Sequence, residues 1–146
     1  MPFYLKRRYT WFVNYGRSVK TRLRCATSAL EIDNGRRSGV ISRDDRLCPC
    51  CPLQETETER HFMLDCPLYS NDRLTFTDAV DDLVLRNDPF GWRTMSWNQR
   101  YQFLLRDGPP EGTPIAALQQ WCRIQIHLYW FLAQAYKARD AYVRDC

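Results

Sequence analysis

Residues 48–67 read Cys48-Pro49-Cys50-Cys51-Pro52-Leu53-Gln54-Glu55-Thr56-Glu57-Thr58-Glu59-Arg60-His61-Phe62-Met63-Leu64-Asp65-Cys66-Pro67. Two prolines among the first cysteines forbid a regular helix there, because proline lacks the amide donor and clashes with the turn before it. Cys48 and Cys51 are separated by two residues, so one tight turn can present both thiolates to the same ion. His61 and Cys66 supply a second pair from a differently oriented element. That element is a predicted short helix carrying His61, Phe62, Met63 and Leu64, capped through Thr56 and Glu59 and stopped by Pro67. Zinc takes four such donors at tetrahedral vertices, at about 2.0–2.3 Å. The spacing therefore predicts a structural zinc ion held by Cys48, Cys51, His61 and Cys66, with no open position for hydrolytic chemistry. Cys50 cannot easily share a tetrahedron with its neighbour Cys51 and is expected to point away. Unliganded buried thiols are the competing reading.

Helices are expected on both sides of this segment. Upstream, Val19, Leu23, Ala26 and Leu30 recur at helical spacing and predict a helix over 18–34, with Gly35 as its left-handed cap. Residues 36–47 are polar and basic apart from Val40-Ile41. Downstream, Ser70-Asn71-Asp72 is a start signal, and Phe76, Val80, Leu83 and Val84 form the stripe of a helix ending near Asn87-Asp88-Pro89. Ser96 begins another over 97–106, closed by Gly108-Pro109-Pro110. Thr113-Pro114 opens the strongest periodic signal: Trp121, Ile124, Leu128, Phe131, Ala135, Ala138 and Tyr142 step by three and four for about six turns. His127 on that helix reads as a hydrogen-bonded core histidine. No strand and no repeat is evident. The fold class is mainly α, with a small CCHC zinc knuckle-like module between helices and a long C-terminal helix. Its parts are a basic N-terminal arm and helix (1–47), the zinc module (48–69) and a helical C-terminal part (70–146), expected to form one compact unit.

The chain has 146 residues with 21 Lys+Arg, 17 Asp+Glu and a formal net charge of +4, which suits one domain. Residues 1–46 hold 11 basic and 4 acidic side chains, whereas 47–146 hold 10 and 13. Arginine supplies 18 of the 21 cations, and its planar fork matches phosphate and carboxylate. Seven cysteines with two histidines, and no apolar leader, point to a reducing intracellular setting, nuclear or cytoplasmic, and to metal before disulfides. Cys25, Cys122 and Cys146 read as core or terminal thiols. Interruptions by Arg123, Gln125, Gln134 and Lys137 exclude a membrane span in the last helix.

The ordered set Arg22-Leu23-Arg24, residues 30–36 (Leu-Glu-Ile-Asp-Asn-Gly-Arg), Arg43-x2-Arg46-Leu47-Cys48-x2-Cys51, Glu57-x-Glu59-x-His61-Phe62-x2-Asp65-Cys66-Pro67-Leu68-Tyr69 and Arg73 resembles the zinc-binding segment that follows the polymerase domain of non-LTR (LINE-type) retrotransposon reverse transcriptases. The likeness is dense over 22–73 and loose beyond. Ser28, in Ala26-Thr27-Ser28-Ala29-Leu30, departs from it, since many relatives carry a histidine there. The resemblance implies descent from the C-terminal end of a mobile-element polyprotein, where the segment helps to grip RNA or target DNA. It brings no polymerase activity. Asp81-Asp82 in Ala79-Val80-Asp81-Asp82-Leu83-Val84-Leu85 mimics the polymerase aspartate pair, but its period is helical and it follows the zinc motif, so it reads as a solvated helix face.

The chain is thus expected to be a non-enzymatic zinc module that binds RNA or DNA phosphates through Arg17, Lys20, Arg22, Arg24, Arg36, Arg37, Arg43 and Arg46. Phe62 and Tyr69 are candidates for base stacking, though packing beside the zinc is the stronger expectation. Two alternatives stay open: a protein-interaction or self-association module working through the aromatic helix at 121–142, and a mobile-element remnant without activity.

Overall fold

A computed structural model of the chain describes residues 3–39 and 42–145, with side chains from Thr10 onward. Val40, Ile41 and Cys146, named above, lie outside the described residues. Among those described, the fold is carried by α1 (Phe3–Arg24), α2 (Glu31–Arg37), α3 (Ser70–Val84), α4 (Trp97–Leu104) and α5 (Ile115–Asp145). No strand occurs among them, only an isolated bridge between Leu47 and Thr56. No helix is long and apolar enough to cross a membrane. The chain is mainly helical, with a Cys/His cluster set between helices.

α5 is the axis. Its predicted stripe is buried at Trp121, Ile124, Leu128, Phe131 and Ala135, and only Tyr142 near the end is 40% exposed. α1 runs antiparallel along one flank: Phe12 stacks on Trp130 with ring centroids 4.8 Å apart, and Lys20 reaches Gln125. α3 runs antiparallel along another, with Phe76 against Phe131 and the Gln120 amide donating to the carbonyl oxygens of Leu83 and Asn87. α4 begins at a capping box, in which Ser96 Oγ accepts from the Gln99 amide and Gln99 Oε1 from the Ser96 amide. It presents Phe103 edge-on to Trp121 at 5.0 Å.

The α1–α5 crossing is close because of one glycine. A Cβ on Gly16 would stand 1.9 Å from the carbonyl oxygen of Tyr129, a backbone atom that cannot swing aside. Gly16→Ala should therefore separate the two longest helices and cost about 1–3 kcal/mol, the range for overpacking a tight interior. Chemical denaturation of the two proteins checks this; an unchanged midpoint would contradict the close crossing.

Several expected boundaries move. The helix predicted over 18–34 begins already at Phe3 and stops at Arg24, where Ala26 turns left-handed (φ 53°) and the Thr27 amide closes back on the Arg22 carbonyl at 3.0 Å. This is the Schellman closure, made here with alanine where glycine is usual. Gly35 is no cap. It sits buried inside α2 because a Cβ there would meet Arg46 Cγ at 2.7 Å, and the left-handed glycine comes later, at Gly39 (φ 85°). The hydroxyl that caps the histidine turn is also shifted: Thr58 Oγ1, not Thr56, accepts from the His61 amide, at 3.1 Å.

Candidate metal centre

A short antiparallel pairing starts the site. The Cys48 amide donates to the Glu55 carbonyl and the Glu57 amide to the Arg46 carbonyl, both at 2.9 Å. The chain between them folds over through Gln54, which is left-handed (φ 53°), and this delivers Cys48 and Cys51 from one loop. Downstream, helical turns from Glu59 widen into a π-type turn over His61–Asp65, closed by the Cys66 amide on the His61 carbonyl at 2.8 Å. In an α-helix, residues five apart diverge by about 140° around the axis. Closing the ring one residue later brings Cys66 round toward His61, and Pro67 then ends the turn.

The result is a convergent donor set. Cys48 Sγ, Cys51 Sγ, His61 and Cys66 Sγ place their ligand atoms within 4.8 Å of one another. Cys48 and Cys66 sulfurs are 4.0 Å apart, and Cys51 Sγ lies 3.4 Å from His61 Nε2. A tetrahedron with bonds of about 2.3 Å to sulfur and 2.0 Å to nitrogen has edges of about 3.8 and 3.5 Å. The four residues therefore fit a metal ion, and the cysteines are free thiols, not disulfides. His61 Nδ1 lies 3.0 Å from the exposed Glu55 carboxylate, which favours the tautomer that leaves Nε2 as the ligating atom.

The charges agree with a cation-binding cluster. Hydrogen bonds from Cys50 and Cys66 pull the Cys48 thiol far down. Its hydrogen bond to Cys48 pushes the Cys66 thiol up, and burial does the same to Cys51. The Cys48 sulfur, and secondarily Glu55, raises His61. Thiolates gathered at this spacing repel one another, and a dication relieves that repulsion.

Two other groupings share members with this set. Cys48, Cys50 and Glu57 lie together, as do Glu55, His61 and Asp65. The first is unsuited to a second cation because the Glu57 carboxylate already holds a guanidinium. Arg139 donates from Nε to Glu57 Oε1 at 2.6 Å and from Nη2 to Oε2 at 2.7 Å, and the Glu31 amide donates to Oε2 at 2.7 Å. The second relies on the exposed Glu55 and Asp65. Cys50 stays outside the four-donor set and is buried on the Glu57 side of Cys48, beside Tyr69. The Tyr69 hydroxyl is buried there without a hydrogen-bond partner.

The Glu57–Arg139 pair fastens the metal segment to α5, and sequence reading missed it. Burial pushes the Glu57 carboxyl up against the opposing pull of Arg139. A signal existed: Leu128, Leu132 and Ala135 are buried at steps of three and four, and Arg139 is the next residue on that stripe. Glu55, to which the sequence reading gave no role at the metal, is the histidine's orienting partner.

The structure disperses the eight basic candidates. Arg17, Lys20 and Arg24 share one face of α1 and line one cavity. Lys20 is 5% exposed and donates to Gln125 Oε1 and the Arg106 carbonyl, so it is withdrawn from the open surface on which it was expected. Arg24 pairs with Asp107. Arg36 holds Asp33 and the Ala26 carbonyl, Arg37 the Ser28 carbonyl, and Arg46 the Ile32 carbonyl, all around α2. Arg22 and Arg43 are exposed. Ser28, the departure from the resembled pattern, is buried and donates from Oγ to Asp33 Oδ2 at 2.6 Å.

Phe62 and Tyr69 are 0% and 1% exposed and pack edge to face, so neither offers a ring to a base. Asp81 and Asp82 are exposed, and Asp81 accepts from Trp92 Nε1 at 3.0 Å, as a helix face would. His127 is half-buried beside Asp72 and Gln134 in a 260 Å³ cavity, not in a hydrogen-bonded core, and burial pushes its pKa down. Of the thiols read as structural, Cys25 and Cys122 are exposed. No protein-family model, curated protein or solved structure matches this chain.

Proposed function

We propose that this chain is a non-catalytic zinc module that grips RNA or DNA by its phosphates, related in origin to the segment after the polymerase domain of non-LTR retrotransposon reverse transcriptases. The observation that carries the reading is the donor set: three thiols and one imidazole converge at tetrahedral spacing, fixed from behind by the Glu57–Arg139 pair. Zinc is the metal whose coordination preference that set matches, and four such donors leave no position for a substrate or an activated water. The ion's work is then architectural, holding α2 and its arginines against the helical body. Arg17, Arg22, Arg36, Arg37 and Arg43 are exposed residues of the same basic third, although Arg36 and Arg37 also donate to Asp33 and to the Ala26 and Ser28 carbonyls.

Several aromatic residues of 121–142 pack within the chain itself. Trp121, Phe131 and Tyr136 are buried against the chain's own helices, and Trp130 stacks on Phe12. Core packing accounts for much of that stripe, while Tyr129 and Trp130 are half-buried and Tyr142 is exposed.

Fluorescence anisotropy with a labelled single-stranded oligonucleotide between 50 and 200 mM salt tests the reading. With three to five phosphates neutralised, log affinity falls linearly with log salt at a slope of about −2 to −3.5. Arg22→Glu with Arg43→Glu should weaken all sequences about equally and flatten that slope. Binding that ignores salt, or none at 50 mM, would remove the nucleic-acid assignment.

A further inference from the structure

We infer that the cavity between α1, α5 and the connection at 105–114 is a phosphate-binding pocket, framed by Arg17, Lys20 and Arg24 on one side and Arg106 on the other. The cavity measures 330 Å³, and its wall also includes Tyr129 and Asp107. Arg17, Lys20 and Arg24 fall three and four residues apart, which puts them on one face of α1. Arg106 comes from the far side of the cavity, a position that the basic pattern of residues 1–46 could not reveal.

The charge in this pocket is not balanced by the protein. Asp107 is its one acidic wall residue and is engaged by Arg24. Among the described residues, no carboxylate lies within ion-pairing distance of Arg17, Lys20 or Arg106. Lys20 is the most telling member. Two of its three ammonium protons are placed, on the Arg106 carbonyl oxygen at 2.7 Å and on Gln125 Oε1 at 2.6 Å, and the Gln125 amide is itself held by the Leu104 carbonyl at 3.4 Å. The ammonium also lies over the rings of Trp121 and Tyr129, at 5.8 and 6.0 Å, so its neighbours are neutral dipoles and ring faces. A buried ammonium without a counter-charge is costly, and evolution of a hydrogen-bonded cradle around it makes sense when an anion completes the site. Burial first, then the repulsion of Arg24, lowers the Lys20 pKa to about 8 against the opposing pull of Asp107. Arg17 and Arg106 are exposed at the rim, where planar forks suit the oxygens of a phosphoryl group.

The ligand chemistry is a phosphate, either a diester of a nucleic-acid backbone or a monoester. The first source rests on the nucleic-acid reading above, whereas the pocket itself does not. The test uses the full zinc-loaded chain with inorganic phosphate as the probe, at ionic strength held constant with sodium chloride. Phosphate should raise the melting temperature with the logarithm of its concentration once that exceeds Kd, and Arg17→Gln with Arg106→Gln, both rim residues, should abolish the shift while melting normally without phosphate. A second arm measures binding of a single-stranded oligonucleotide with and without a 5′-phosphate. A loss of tenfold or more in the double variant, independent of the 5′-phosphate, assigns the pocket to the backbone. A loss confined to the 5′-phosphorylated strand assigns it to a monoester. Oligonucleotide binding that the double variant leaves intact, with the phosphate shift still abolished, keeps the pocket and takes it off the nucleic-acid surface. Absence of a phosphate shift at constant ionic strength, or an equal shift in the double variant, overturns the inference whatever the oligonucleotide does.

Discussion

Replacing any one of Cys48, Cys51 or Cys66 by serine, or His61 by alanine, is expected to abolish cooperative thermal unfolding of the chain, and chelation of the metal to do the same to the unaltered protein. The size of the effect follows from where the donors sit. Structural zinc contributes about 10–16 kcal/mol in small peptides, against a total stability of about 5–15 kcal/mol for an ordinary domain. Here Cys48, His61 and Cys66 are buried beside Phe62, Met63 and Tyr69, in the same cluster as Val80, Leu128 and Phe131. Collapse of the metal segment therefore uncovers the face of α3 and α5 on which it lies. Circular dichroism melts read the outcome, and Cys50→Ser is the control. Its thiol is buried but outside the donor set, so that variant should keep its metal and melt cooperatively. A Cys50→Ser protein without metal, beside a Cys66→Ser protein that retains it, would overturn the ligand assignment.

The second large effect is expected at Glu57 and Arg139. Their two hydrogen bonds of 2.6 and 2.7 Å lie in the interior, and both residues are at most 5% exposed. Removing Arg139 leaves Glu57 as a buried carboxylate without a counter-charge, a change that costs about 3–5 kcal/mol, whereas removing Glu57 leaves Arg139 the Glu31 carboxylate at 3.6 Å. Arg139→Met should be the clearer single variant, because methionine keeps much of the side-chain volume while Glu57 loses its guanidinium. Glu57→Leu with Arg139→Met should recover part of the loss, since neither charge is then stranded. Urea denaturation of the two single variants and the double variant measures the coupling. Additive losses, with no recovery in the double variant, would contradict the pair as the fastening between metal segment and α5.

Much of the helical frame was legible because it is local. The start signals at Ser70, Ser96 and Thr113-Pro114 and the three-and-four stripe of α5 are patterns within a few turns, and the helices begin close to where those signals fall, although only Ser96 caps its helix through the side chain. The donor residues were legible for the same reason, since Cys-x2-Cys and His-x4-Cys are short-range spacings that the structure brings within 4.8 Å. What stayed hidden depends on residues far apart or on misleading local cues. Gly35 resembles a helix cap, yet its missing Cβ makes room for Arg46, while Ala26 takes the left-handed turn against its own preference. The π-type turn has no sequence signature, although it is what aligns Cys66 with His61. Glu57 and Arg139 meet across 82 positions, and Lys20 and Gln125 across 105, so no window reveals either pair. Gly16 shows its importance only once Tyr129 lies across it.

X-ray absorption at the zinc edge of the purified chain, with metal content measured in the same sample, tests the central claim most directly. One zinc ion per chain with three sulfur neighbours at about 2.3 Å and one nitrogen at about 2.0 Å is the result expected from Cys48, Cys51, Cys66 and His61 Nε2. A four-sulfur shell would put Cys50 in place of His61, and a chain that folds cooperatively with no stoichiometric metal would contradict the account altogether.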